Sequence, residues 1–249
     1  GSLNLMSSMP NFEGINKSTS AKNPDKFIME TIGAPDPIDP ATNYESFGSG
    51  INELIYETLV DYKGNSATEL VGKLATNWTV SADGKQYNFT LRTGVTFHDG
   101  TPFNAYVMKY SLDRAVIMND AWGPVWMLSQ VIKGAPAYMV LDNPNVSDAE
   151  TYLAAGGIVA IDDTHLQINL EQAYAPFLYA LAYRVGAAVS PKAVVENAPS
   201  DYTTDTTDDD FGMVPLSSWF PGVADIATKL NLADDSKSGV VPGLSLIHI

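Results

Sequence analysis

The residues whose types invite chemistry are three histidines, at positions 98, 165 and 248, and the aspartates at 201, 205, 208, 209 and 210. His98 stands next to Asp99, and a histidine oriented by a carboxylate is the usual base behind a nucleophile. The spacing argues against that role. Adjacent side chains of an extended segment point to opposite sides, and a dyad also needs a nucleophile within about 3 Å, which the sequence does not nominate. In "TFHDGTPF", Asp99 and Gly100 read better as a turn, with His98 bonded locally or at the surface. The aspartate run lacks the order of ligands, glycine and closing glutamate of a calcium loop, so an exposed acidic loop is expected. Scattered histidines without cysteine give no zinc spacing. Neither a phosphate loop nor a dinucleotide fingerprint occurs, and "GSG" at 48–50 lacks the flanks of a nucleophile elbow. The expectation is no catalytic residue, no metal and no cofactor.

The elements that carry these residues read as follows. "FIMETI", 27–32, is a short strand. After "APDPIDPATN", stiff and irregular through its prolines, "SGINELIYETLV" is an amphipathic helix. Ser49 is its expected cap, and Ile51, Leu54, Ile55 and Leu59 its core face. "ATNWTVSADGKQYNFTLRTGVTF" is a pair of antiparallel strands turning at "ADG", the second over 87–97. Tyr87, Phe89 and Leu91 lie on one face, Asn88, Thr90 and Arg92 on the other. Asn104 caps a helix over 104–117, whose wide apolar face includes Val107, Met108, Tyr110 and Leu112. Loops and short helices fill 118–150. "GGIVAIDDTHLQINL" is a hairpin turning at Asp162 and Asp163, with His165 in a strand and Leu166, Ile168 and Leu170 buried. "APFLYALAYRVG" is a helix closed by Gly186, and Ser190 with Pro191 opens another. No repeat and no regular β-α-β alternation appears.

Composition bounds the partners. There are 249 residues, 45% of them hydrophobic, enough for one substantial core or two small ones. A formal charge of −15 disfavours nucleic acid and anionic lipid, both of which are held by positive charge. Zero cysteines rule out disulfides and thiolate chemistry. No apolar run is long enough to span a bilayer. Asn-x-Ser/Thr sequons at Asn16, Asn77, Asn88 and Asn145 matter only if the chain crosses a glycosylating membrane. "GS" at the start resembles a cloning scar, and the closing "GLSLIHI" resembles translated adapter sequence.

Five stretches, in order, resemble one family. "RTGVTFHDGTPFNAYVMKYSLDRA" is similar to the signature of extracellular solute-binding proteins of family 5, the oligopeptide-, dipeptide- and nickel-binding components of ABC importers. "PIDPATNYESFGSGINELIYETLVDY", "ELVGKLATNWTVSADGKQYNFTLR", "IVAIDDTHLQINL" and "AVSPKAVVE" resemble other segments of it, covering about 28–196. The resemblance implies a mixed α/β, periplasmic-binding-protein-like fold with two lobes, of which this chain is mainly the first. Residues 1–60 and 170–249 then belong to a base subdomain and 61–169 to an extra subdomain. It also implies "TFHDGTPFNA" as scaffold and places the ligand strip at Tyr44, Glu45, Ser46 and Phe47. There an irregular segment before a helix can pair with an extended peptide, Tyr44 offers a ring and a hydroxyl, and Glu45 can meet an amine. Packing of Tyr44 and Phe47 inside the lobe, with Glu45 in solvent, is the alternative. Two departures stand out. Tyr106 and Val107 occupy positions usually acidic in the family, and no "GTGPY" segment follows Glu196. The function implied is a monomeric binding protein in the periplasm or on the outer face of the cell membrane. It carries a peptide or another small solute to an ABC permease. Nickel-chelate, sugar or opine binding, or a sensory or structural surface role, are the alternatives, and a hydrolase is disfavoured.

Overall fold

The computed structural model describes residues 38–119, 122–142, 144–197, 214–223, 225–232 and 239–240. The chain divides into residues 1–34 and 35–249, and every described residue lies in the second unit. The expected strand at 27–32, the acidic run at 201–210, Asn16, His248 and "GLSLIHI" lie outside the described residues.

The order opens with α1 (Ser46–Ile55), β1 (Val60–Tyr62) and β2 (Leu70–Gly72), then the hairpin β3 (Ala75–Val80) and β4 (Gln86–Leu91). Four helices follow: α2 (Ala105–Met118), α3 (Trp126–Ser129), α4 (Ala135–Met139) and α5 (Val146–Ala154). A second hairpin, β5 (Ile158–Ala160) and β6 (His165–Asn169), precedes α6 (Phe177–Ala182) and α7 (Pro191–Glu196). The two hairpins merge into one antiparallel sheet in the order β3-β4-β6-β5. Its register pairs Phe89 with Leu166 and Tyr87 with Ile168, so the apolar rows of both hairpins fall on one face. Tyr87, Phe89, Leu91, Leu166 and Ile168 are all buried, as alternation required.

Against that face lies α2, packed on β5 and β6. Asn104 caps it by accepting the Val107 N–H at 2.9 Å. Every one of its residues is buried, not only the apolar stripe. Burial on all sides forces its charged groups to pair. Lys109 meets Asp113, which also accepts the Tyr152 hydroxyl at 2.7 Å, and Arg114 meets Asp39.

Three expectations are corrected. The helix at 46–55 is capped by Glu45, not Ser49, and its buried residues are Gly48, Ser49 and Asn52. Leu54 is 80% exposed, and Leu59 is buried beyond the helix end, beside β1. The inward face carries Gly48 because no Cβ fits there against Asn43 and Glu45, while Ile51 and Ile55 are half-buried at its edge. Strand β4 stops at Leu91 instead of running to 97. Gly94 at φ +74° turns the chain, and only an isolated bridge from Thr96 to Pro102 follows. The helix at 177 ends at Ala182, so Gly186 closes a separate 3-10 turn over Arg184–Gly186. The second hairpin turns at Asp162 and Asp163 as read, with the Asp162 carboxylate accepting the N–H groups of Thr164 and His165.

Candidate functional site: an aromatic wall before and beside α1

The turn that leads into α1 is made by Asp39. Its backbone carbonyl accepts the N–H groups of Thr42 (3.1 Å) and Asn43 (2.8 Å), and its side chain accepts that of Ala41 at 2.9 Å. Burial would raise the Asp39 carboxyl, but the charge and hydrogen bonds of Arg114 outweigh it and hold the group below its usual range. Asn43, also buried, accepts the Ser49 hydroxyl at 3.2 Å. Glu45 then turns its carboxylate onto the start of the helix, taking the N–H groups of Phe47 (2.7 Å) and Gly48. A negative charge at a helix N-terminus satisfies orphan donors and complements the macrodipole.

Between these anchored residues Tyr44 points outward, 46% exposed. Its ring stands edge-on to Trp126 at 6.4 Å and to Tyr183 at 6.2 Å, a favourable arrangement for the aromatic quadrupoles. Trp126, at the start of α3, is itself 49% exposed. Tyr183 is fixed from behind. Its hydroxyl lies 3.5 Å from that of Ser49, and the Arg184 guanidinium lies over its ring at 5.5 Å. Arg184 in turn donates to the Ser49 carbonyl at 3.1 Å and to Glu53 at 2.6 Å. The result is an open, mostly apolar wall backed by the paired groups of Ser49, Tyr183 and Arg184. It can stack rings and apolar side chains, and it offers no group placed for acid–base or nucleophilic work.

Of the strip read from sequence, the structure brings Tyr44 to this wall. It commits Glu45 to the helix start, leaves Ser46 exposed and half-buries Phe47. Trp126 and Tyr183 were missed, because their contacts with Tyr44 join positions far apart in the chain. The one signal was the density of large aromatics in "AWGPVWM", a stretch with no periodicity to bury them.

His98 lies elsewhere, at the rim of an apolar dimple of about 160 Å³ lined by Ile55, Leu74, Val95 and Phe103. Asp99 accepts the Thr101 N–H at 2.8 Å and the Ser190 hydroxyl. Ser190 caps α7, so the "HDGT" turn is tied to that helix as scaffold. Among the described residues, no three acidic or imidazole side chains are grouped to hold a metal, and no helix is long and apolar enough to cross a membrane.

Residues 69–218 match the family model of bacterial extracellular solute-binding proteins, family 5. The chain belongs to this family. Among curated relatives, the probable D,D-dipeptide-binding periplasmic protein DdpA of Escherichia coli (strain K12) is 27% identical over 203 residues, which is 80% of this chain and 34% of the relative. The glutathione-binding protein GsiB of the same strain is 29% identical over 157 residues, 63% of this chain and 26% of the relative. Among solved structures, a periplasmic oligopeptide-binding protein from Borrelia burgdorferi superposes with a TM-score of 0.57 at 26% identity, over 68% of this chain and 32% of that one. The murein tripeptide-binding protein MppA of Escherichia coli gives 0.55 at 26%, over 68% and 31%. The chain thus spans about a quarter to a third of the length of these relatives, and it has the mixed α/β fold of this class over the shared part.

Proposed function

We propose that this family 5 chain forms the first lobe of an extracytoplasmic solute-binding protein that captures peptides and delivers them to an ABC permease. The observation that carries the reading is the wall of Tyr44, Trp126 and Tyr183: large aromatics left part-exposed and packed edge-on against one another, on a lobe whose family binds solutes. Half-exposed aromatic anchors of this kind are where recognition energy concentrates. The relatives' names point to the same ligand class, since D,D-dipeptide, glutathione, oligopeptide and murein tripeptide are all peptides. In this reading the protein is monomeric and works in the periplasm or at the outer face of the membrane. Residues 61–169 form an extra subdomain on a base made by 1–60 and 170–249. Tyr44, Glu45, Ser46 and Phe47 border the ligand. Glu45 adds negative charge beside the wall while it caps α1.

Mass spectrometry of ligand co-purified with the full-length protein tests the ligand class. A peptide is expected, and a sugar, opine or metal chelate would overturn it. Calorimetry with that ligand tests the wall. Trp126→Ala or Tyr44→Ala should weaken binding roughly tenfold, about 1.4 kcal/mol. Glu45→Ala should narrow the preference for a free-amine ligand over its blocked analogue. Unchanged affinity in both aromatic variants would place the site elsewhere.

A further inference from the structure

Arg114 stands 75 residues from Asp39 in sequence and deep in α2, yet its guanidinium grips both carboxylate oxygens of Asp39, one of them at 3.1 Å. Both side chains are almost fully buried, 2% and 3% exposed. Tyr56 and Tyr110 surround the pair closely enough to feel its charges. A buried pair of this kind is a weak source of stability, because well-packed apolar residues of similar volume usually do as well or better. What a two-pronged guanidinium offers that apolar packing does not is direction, since its planar fork accepts a carboxylate in only one orientation. Here that orientation propagates. Asp39 makes every backbone bond of the turn that ends at Asn43, and Asn43 holds Ser49, so Tyr44 leaves the turn at a fixed angle toward Trp126 and Tyr183.

We infer that Arg114 is a positioning residue: through Asp39 it sets the 39–43 turn, and through that turn it aims Tyr44 into the aromatic wall. Its consequence for ligand binding rests on the proposed function, but its effect on the turn does not. The discriminating variant removes both charges at once, Asp39→Asn with Arg114→Met, which leaves a side-chain oxygen for the Ala41 N–H, and Arg114→Lys serves as a second variant that keeps charge and loses the fork.

Hydrogen exchange on this chain reads the turn directly. In the double variant the amides of residues 41–43 should exchange at least tenfold faster. Protection across Met108–Met118 should be unchanged and the Tm should fall by no more than a few degrees. Arg114→Lys should show the same local loss in milder form. Native protection at 41–43 in both variants would overturn the inference. So would loss of protection throughout α2, because the pair would then hold the fold rather than the turn. The full-length double variant, titrated with the tripeptide Ala-Phe-Ala, should bind at least tenfold more weakly than the parent. Faster exchange at 41–43 with unchanged tripeptide affinity would uphold Arg114 as the residue that sets the turn and sink Tyr44 as a ligand contact.

Discussion

Gly48 sits where a side chain would collide with the groups that start α1. A Cβ there would run into the Asn43 amide nitrogen and a Glu45 carboxylate oxygen. Both are held, the first in a buried residue and the second as the helix cap. In an unobstructed helix, alanine in place of glycine gains up to about 1 kcal/mol. Here it should displace the cap, whose loss costs about 0.5–2 kcal/mol, so the two effects oppose and the cap should win. Gly48→Ala is therefore expected to lower the Tm in a thermal melt, as Glu45→Ala should, and the double variant should lose less than the sum of the two. Full additivity would show that the glycine and the cap are independent. His98→Ala, by contrast, should leave the Tm almost unchanged. At this scale the sequence was legible where the signal was local and the residue type conventional. Asn104 and Ser190 cap their helices as read, because Asn and Ser are the usual types and the donors lie three residues on. Glu45 was not legible as a cap, since glutamate seldom serves as one and Ser49 offered the familiar type. The Arg114–Asp39 pair was invisible because nothing local records a contact across 75 positions.

The hairpins were the most legible elements, because strict alternation assigns faces without knowledge of the partner strand. Alternation alone groups Tyr87, Phe89 and Leu91 on one face of β4 and Leu166 and Ile168 on one face of β6, and the structure buries both rows. Where alternation continued past a glycine it misled, as at Gly94 after β4. The β5–β6 turn carries a pH prediction. Hydrogen bonds from the Thr164 backbone, and from the side chain and backbone of His165, hold the exposed Asp162 carboxyl down at about 2. A carboxyl depressed in the folded state adds stability that is present above the unfolded value, near 3.9. That stability is lost as the pH falls through the folded value near 2. The group is exposed, so the effect belongs to the hairpin tip and not to the fold as a whole. A carboxyl NMR titration should give a midpoint for Asp162 well below that of a free aspartate, with the His165 amide losing protection over the same range. An ordinary midpoint would mean that the carboxylate does not build the turn. Asp162→Ala should fray the tip while leaving the Phe89–Leu166 pairing intact.

For the molecule as a whole, the described apolar residues divide between a buried core and a few that stay exposed. A buried core surrounds α2 and one face of the sheet, yet Leu54 is 80% exposed, Trp122 88% and Trp126 49%. These side chains lie on and near the segments that flank Tyr44, and the chain covers only 34% of the length of its DdpA relative. If cargo is held between this wall and parts of the protein beyond the matched third, the chain by itself offers one side of a cleft. Ordering and desolvating a peptide against a single open wall recovers too little contact to offset the freedom lost on association, whereas enclosure adds a second set of contacts at little further entropic cost. Calorimetry should therefore find peptide binding to the 249-residue chain at least about a hundredfold weaker than to the full-length protein, a deficit of about 2.7 kcal/mol. Trp126→Ala should weaken binding in both by a similar factor, because the wall contact is the part they share. Equal affinities for the chain and the full-length protein would mean that this lobe holds the whole site, and closure would then have no part in capture.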